Sequence, residues 1–568
     1  MNEQWLVSMK KADFNAIAKK FNISPITARL LRNRGLTVDD EIDKYLNGTL
    51  NSLYPPTLMK DMEKACDILS QKISEKKHIR IIGDYDVDGV MSTYILLTGL
   101  KRLGAIVDER IPERVKDGYG LNENLVRDAY SDGADTIITC DNGISAYDQV
   151  KLAKELGMTV IITDHHEVPF DAATGEQIIP PADSVTDPKQ STCDYPFKGI
   201  CGAVVAWKLI TLLYKKHGIP KEESDKYLFF AAMATICDVC DLTDENRLIV
   251  KYGLASAEAC DNLGLNALMS LNEIVPANLS VYHVGFVIGP CLNAGGRLDT
   301  AQRALSLLLS TSNDEALSLA SELIAMNQSR KDMTEEFTEK ACELVENSSL
   351  INDRVLVAYL PECHESLAGI IAGRIREKYN KPAFVLTASE SGIKGSGRSI
   401  DEYNMYESLT ECKEYLTQFG GHAKAAGLSL KEEDIENLRT ALNSKCALTD
   451  ADLERKIHID MQLPIKYISE KLINEFDALM PFGQGNSRPL FAQKGLKVIN
   501  PSVVGKNRNV ARMTIADGDA RISAVCFGNA DEFVNYVSDK EEISAVFYPT
   551  INIFRGVSSV QLVITNYR

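Results

Sequence analysis

The hydrophobic positions change rhythm several times along this chain. From residue 79 they gather into short runs rich in Ile, Val and Thr, "IRIIG", "AIVDERI", "DTIITC" and "TVIIT", separated by amphipathic stretches of helix length such as "SAYDQVKLAKELG". Strand and helix in alternation predict an α/β fold, a parallel sheet covered by helices. Upstream, residues 1–60 carry "DFNAIAKKFNISPITARLLRNRG", apolar at helical spacing with a glycine stop, and are expected to form an N-terminal helical segment of the domain over 61–310. Downstream, "DEALSLASELIAMNQSRKDMTEEFTEKACELVEN" has neither Pro nor Gly and predicts a long connecting helix within 311–350 that sets the width of a cleft. From about 455 the pattern becomes "LKVINPSVVG", "VARMTIADGDARISAVCFG" and "ISAVFYPTINIFRGVSSVQLVI", short alternating strands with Gly and Asn turns, which predict a small β-barrel over 455–568.

Composition adds limits. At 568 residues and 45% hydrophobic, the chain can bury two or more cores. Its longest apolar stretch, "YLFFAAMATIC", stops at Asp238, too short to span a bilayer, and "MNEQWLVSMKK" has no apolar signal region, so a cytoplasmic protein is expected. Thirteen cysteines without a regular framework suit reduced thiols. Cys237 and Cys240 have C-x-x-C spacing but no second ligand pair and no thioredoxin-like frame, and are read as core packing. A net charge of −17 argues against a broad basic surface that grips duplex DNA. It leaves room for local basic grooves, and residues 490–568 run the other way, with nine Lys/Arg against seven Asp/Glu.

The candidate chemistry lies at strand ends. In open parallel sheets ligands bind beyond the carboxyl ends of the strands. Asp84 follows "IRIIG", Asp141 follows "TIITC" and Asp164 follows "TVIIT", so separate segments deliver acids to one edge. "DYDVDG" adds Asp86 and Asp88, like charges tolerable together only if cations neutralise them. "TDHH" adds His165 and His166, two of only eight histidines in the chain. Asp238 ends another apolar run and fits the same edge; its alternative is a buried helix-end acid. Mixed oxygen and imidazole ligands suit Mn²⁺ or Mg²⁺ better than a thiolate zinc site. The expected ligand set is therefore Asp84, Asp86, Asp88, Asp141, Asp164, His165, His166 and Asp238, with Asp86, Asp141, His165 and His166 central to catalysis and Asp84 or Asp164 acting behind the ligands.

"DYDVDG", "CDNG", "TDHH" and "DVCDL", in that order, resemble the four motifs of the DHH phosphoesterase superfamily, whose members use paired divalent metals to hydrolyse phosphoester or phosphoanhydride bonds. "IPERVKDGYGLN", "GPCLNAGGRLDTAQRALSLLL", "GIKGSGRS" and "FGGHAKAAGLSL" extend the resemblance to the RecJ family of single-strand-specific exonucleases, from about Trp5 to the carboxyl terminus. Cys291, Cys363 and the triplet Ser487, Arg488, Pro489 depart from the residues common in that family, and Cys237 and Cys240 make the fourth motif the least orthodox. None of these departures removes a candidate ligand.

The resemblance implies a DHHA1-type α/β substrate-binding domain over 351–450 and an OB-fold for the barrel, with two metal ions bridged by Asp141. It implies a pocket for a terminal 5′ phosphate built from Arg114, Arg297, Ser396 and Arg398, with His422 beside them. "GSGRS" and "FGGH" are expected to be glycine-rich turns whose backbone approaches a phosphate. In the barrel, Phe527, Tyr548 and Phe554 lie among Lys506, Arg508, Arg512 and Arg555, a combination that can stack bases or, equally, fill a barrel core. The implied activity is hydrolysis of single-stranded DNA from the 5′ end to 5′-mononucleotides in recombination and repair, by a monomer working with single-strand-binding protein and a RecQ-type helicase. A DHH phosphodiesterase for short oligonucleotides or cyclic dinucleotides, and a non-catalytic nucleic-acid scaffold, are the alternatives. The barrel counts against the first and the full ligand set against the second.

Overall fold

The computed structural model describes residues 3–113, 117–118, 120–171, 173–389 and 392–568, with the side chain of Phe554 outside that set. The chain forms two compact units, one of Pro56–Asp238 with Ala255–Arg455, the other of Glu3–Pro55 with Val239–Leu254 and Lys456–Arg568. The described N-terminus opens on a strand, β1 (Glu3–Val7), followed by the helices Phe14–Phe21, Pro25–Asn33 and Asp39–Asn47. The expectation that residues 1–60 belong to the catalytic domain is corrected here. Leu30, Leu31, Ile42 and Tyr45 share a hydrophobic core with barrel residues such as Phe491, Ile515 and Phe547, so the apolar stripe that was legible in the sequence is buried against the carboxyl-terminal part of the chain.

The larger unit contains the expected parallel sheet. Strands β2 (His78–Ile82), β3 (Ile106–Arg110), β4 (Thr136–Cys140), β5 (Thr159–Thr163) and β6 (Ser184–Thr186) lie in the order β3-β2-β4-β5-β6, all parallel. Arg80 ties this sheet laterally: its guanidinium, 2% exposed, donates to Asp108 on β3 at 2.6 and 2.9 Å and to Asp132 at 2.7 Å. The helix Asn313–Glu346 is the long connector, 34 residues or about 51 Å at 1.5 Å per residue.

Beyond the connector a second sheet follows, β7 (Leu356–Tyr359), β8 (Ala383–Ser389), β9 (Gly392–Arg398), β10 (Gln418–His422) and β11 (Ala425–Leu430), in the order β10-β11-β9-β8-β7. "GSGRS" and "FGGH", expected as turns, are strands. The alternation Lys394, Ser396, Arg398 against Gly395 and Gly397 explains why. A Cβ on Gly395 would meet Leu386 at 2.4 Å and one on Gly397 would meet Phe384 at 2.5 Å, so these glycines are needed for close packing between β9 and the core.

In the smaller unit β12 (Arg455–Ile459) pairs with β1, and β13 (Met461–Gln462), β14 (Phe491–Val504), β15 (Val510–Asp517), β16 (Ala520–Phe527), β17 (Ile543–Phe554) and β18 (Val557–Tyr567) form the barrel, closed by pairing of β14 with β17. Arg247, 1% exposed, anchors it by donating to the carbonyls of Tyr45, Ala478 and Met480 at 2.6–2.7 Å. Arg488, in the divergent triplet, stacks over Tyr548 at 4.7 Å and faces Phe482 at 5.4 Å. Phe527 is 61% exposed, while Arg508 is engaged with Asp531 at 2.5 Å.

Candidate metal centre and phosphate pocket

Five segments bring acids to the carboxyl edge of the parallel sheet. After β2, Asp84 is buried, and Asp86 caps the helix Val87–Arg102 by accepting from the Gly89 amide at 3.1 Å. Asp88, in the first turn of that helix, is 1% exposed and accepts from the amides of Gly202 and Ala203 at 2.6 and 2.7 Å, at the start of the helix Gly202–Lys216. A Cβ on Gly202 would meet that of Asp141 at 2.8 Å, so only glycine allows this approach. Asp141, directly after β4, has φ 60°, a left-handed conformation that costs a non-glycine residue about 1 kcal/mol or more and aims its carboxylate at the cluster. Asp238 arrives as the C-cap of the helix Leu228–Cys237, a helix end where the others, apart from helical Asp88, follow strands.

Three groups of ligand atoms lie within 4.8 Å of one another: Asp84, Asp86 and Asp141; Asp88, His165 and Asp238; Asp141, His165 and His166. His165 Nε2 is 3.0 Å from Asp141 Oδ1, 3.5 Å from Asp88 Oδ2 and 3.9 Å from Asp238 Oδ2. Asp164 stands outside all three groups. Its Oδ1 accepts from His166 Nδ1 at 2.7 Å and from the His165 amide at 2.7 Å, and its Oδ2 from the Ile144 amide at 2.9 Å. It therefore orients the histidines from behind.

The electrostatics fit cations. Burial, reinforced by Asp88, Asp86 and Asp84, drives the Asp141 carboxyl well above its ordinary range. Burial pushes Asp88 up to about 6 against the pull of His165. Burial acts the same way on Asp164, but hydrogen bonds and charge from His166 and His165 win and hold it below the carboxylate norm. Burial lowers His165; for His166 burial is overcome by Asp164, which raises the ring to about 9. Carboxylate oxygens and imidazole nitrogens stacked this densely are the donor set of Mn²⁺ or Mg²⁺, and the residues fit such ions.

Sequence reasoning missed one acid. Asp187 follows β6, is fully buried and is pushed up to about 7, chiefly by burial. Its Oδ1 accepts from the Lys189 amide at 2.7 Å, and its Oδ2 has no hydrogen-bond partner among the described residues. The signal was "SVTD", a β-branched strand end of the same form as the others, but only three residues long.

The candidate phosphate residues are partly brought together. Arg297, Ser396 and Arg398 line one cavity of about 350 Å³, joined by Arg374 from the helix Ala368–Tyr379, which the sequence reading did not single out. Arg297 donates to the Ser366 carbonyl at 2.9 Å. Gly369 lies close to Arg398, where a Cβ would come within 2.8 Å of Nη2. Arg114 lies outside the described residues. His422 does not line the cavity; it is exposed on β10, two strands from Arg398 in the same row. A second cavity of about 280 Å³ shares Glu365, Ser366 and Ser396 with the first and is lined also by Tyr85, Lys394 and Gly427.

The fold and the edge define a phosphoester hydrolase of the DHH type. Family models match accordingly, the DHH family N-terminal domain at residues 78–235, the DHHA1 domain at 352–448 and the RecJ OB domain at 459–566. The single-stranded-DNA-specific exonuclease RecJ of Bacillus subtilis is 37% identical over 568 residues, covering 99% of this chain and 70% of that protein. That of Salmonella typhimurium is 31% identical, covering 99% of each. The crystal structure of Thermus thermophilus RecJ in complex with Mn²⁺ superposes with a TM-score of 0.84 at 27% identity, covering 100% of this chain and 80% of that one. The chain belongs to the RecJ family of single-stranded-DNA-specific exonucleases. Among the described residues no helix is long and apolar enough to cross a membrane.

Proposed function

We propose that this chain is a divalent-metal-dependent exonuclease that degrades single-stranded DNA from the 5′ end to 5′-mononucleotides, in recombination and repair. The observation that carries the reading is an adjacency. Tyr85, flanked by Asp84 and Asp86, lines the same cavity as Ser396, and Ser396 also lines the arginine pocket. A terminal phosphate held by Arg297 and Arg398 thus leaves the next phosphodiester to be presented to the acidic edge.

Asp84, Asp86 and Asp141 would hold one ion and Asp88, His165 and Asp238 a second, with Asp141 shared and His166 completing the set. Ions bound there supply a hydroxide nucleophile at neutral pH and offset charge developing on the phosphate. The chain's own part is positioning. The amides of Gly202 and Ala203 fix Asp88, and Asp164 fixes both histidines. Hydrolysis breaks the bond between phosphorus and the 3′ oxygen of the terminal nucleotide. The released nucleotide keeps its 5′ phosphate and gains a 3′ hydroxyl, while the shortened strand carries a new 5′ phosphate. Each turn therefore regenerates the group that the arginine pocket binds.

Single-strand preference is supported by the relatives, which are single-stranded-DNA-specific, and two cavities of about 280 and 350 Å³ offer room for a terminal nucleotide. Duplex ends then require unwinding, which supports a RecQ-type helicase and single-strand-binding protein as partners of a cytoplasmic, monomeric enzyme. The test is digestion of linear and circular single strands of one sequence. Stepwise release of mononucleotides from the linear form alone is expected; equal rates on the two would defeat end capture.

A further inference from the structure

Two glycines on the second sheet have no internal reason to be glycine. Gly420 on β10 and Gly427 on β11 are directly paired, and Gly427 is in turn paired with Ser396 on β9. Neither is among the residues of positive φ, and a Cβ built on either meets nothing among the described residues within 4 Å. Gly395 and Gly397, on the opposite face of the same sheet, are the contrast, because packing leaves them no space. Glycine inside a strand weakens it by roughly 0.5–1 kcal/mol. Where the fold does not require it, glycine marks a close approach by something from outside.

The surroundings say what approaches. The helix Ala368–Tyr379 packs on β8 and β9, and β11 and β10 extend the same sheet face past it. By register that face presents Lys394, Ser396 and Arg398 on β9, Ala425, Gly427 and Ser429 on β11, and Gln418, Gly420 and His422 on β10. Polar groups thus border a bare strip about 10 Å across, two strand spacings wide. Gly427 and Ser396 lie on one wall of the cavity that Tyr85 also lines, next to the arginine pocket. A bare strip with phosphate ligands at one end, and an aromatic residue, Tyr85, lining the same cavity, matches one nucleotide.

We propose that the Gly420–Gly427 pair is the floor on which the base of the 5′-terminal nucleotide lies while its phosphate occupies the arginine pocket, with Tyr85 as the opposing wall. This rests on the exonuclease reading of the same site. These glycines act by leaving room, so filling the space should harm the substrate and not the fold.

The test uses Gly427→Val and Gly420→Val in the full chain. A 5′-phosphorylated single strand is compared with the same strand carrying an abasic 5′-terminal residue, both for binding in Ca²⁺ and for turnover in Mn²⁺, alongside hydrolysis of bis(p-nitrophenyl) phosphate and thermal unfolding. Gly427→Val is expected to unfold at or above the wild-type temperature and to lose on the order of tenfold in affinity for the ordinary strand, the scale of one stacked base. On the abasic-ended strand the gap between variant and wild type should nearly close. Wild-type affinity for the ordinary strand in both variants, or an equal loss on both strands, would overturn the floor. A wild-type protein that binds the strand but does not digest it defeats the exonuclease reading alone, and the floor is then judged by binding; one that does neither defeats both.

Discussion

At the carboxyl edge of the parallel sheet, β2, β4, β5 and β6 are followed by side chains that are candidates for the chemistry: Asp84, Asp141, the run from Asp164 to His166, and Asp187. On the open face of β9, β11 and β10 two paired residues near the arginine pocket, Gly420 and Gly427, have no side chain at all. The edge concentrates buried carboxylates whose charge bound cations would relieve, whereas the shelf offers space and a few hydrogen-bonding groups. A substitution at the edge removes a group that acts; one on the shelf adds a group that obstructs. The two should therefore fail in different ways.

The largest effect is expected at the edge. Asp141→Ala and His165→Ala should each lose about 10³-fold or more in turnover together with bound Mn²⁺, since several kcal/mol of transition-state stabilisation go with the ions. For Asp141→Ala the melting temperature in the absence of metal should hold or rise, because a buried repelling carboxylate is gone. Turnover near wild type in both variants would remove the edge from the mechanism. Asp164→Asn should be milder and specific to the histidines' orientation, about 10–100-fold in metal affinity measured by titration.

The arginine pocket comes next. Arg398→Ala is expected to cut kcat/KM on 5′-phosphorylated strands by roughly tenfold to a hundredfold, the scale of a charge-assisted contact to phosphate, and to change little on 5′-hydroxyl strands. Equal losses on both ends would make Arg398 a fold residue.

Much of the edge was legible because aspartate and histidine after an apolar β-branched run are loud signals. Asp187 escaped because β6 has three residues and no run to announce it. The role of Asp164 was only half visible, since spacing places a carboxylate but does not tell whether its oxygens face an ion or the amides of Ile144 and His165. The shelf was least legible. "GSGRS" and "FGGH" have turn composition, and only strand register shows that one set of glycines faces Leu386 and Phe384 while another meets nothing among the described residues. Helical spacing in residues 14–47 was read correctly, but its stripe does not name its partner, and the barrel core was the partner found.

Smaller effects concern what holds the edge in place. Arg80→Met should destabilise the larger unit by about 1–2 kcal/mol at pH 7, a figure kept low because Asp108 and Asp132 are 37% and 50% exposed and screened. Burial tends to raise Asp108, but hydrogen bonding and charge from Arg80 prevail and hold it below its ordinary value. That contribution is present above the unfolded carboxylate pKa, about 3.9, and fades as pH falls through the lower folded value. The difference in melting temperature between wild type and Arg80→Met should thus narrow below about pH 4. A gap constant with pH would mean that Arg80 acts by packing. Smallest of all, Phe527→Ala, on the exposed barrel surface, should weaken binding of long single strands by less than about tenfold and leave short ones unaffected.

The most direct test of the account is a Mn²⁺-dependent digestion series on 5′-phosphorylated DNA of one sequence and one label, offered as single strand, blunt duplex and 3′-overhang duplex, with Asp141→Ala as the control. The account expects rapid loss of the single strand to mononucleotides, little loss of either duplex, and none with the variant. Comparable digestion of the blunt duplex would contradict it, and would leave a general DHH phosphoesterase in place of an enzyme that takes one strand by its 5′ end.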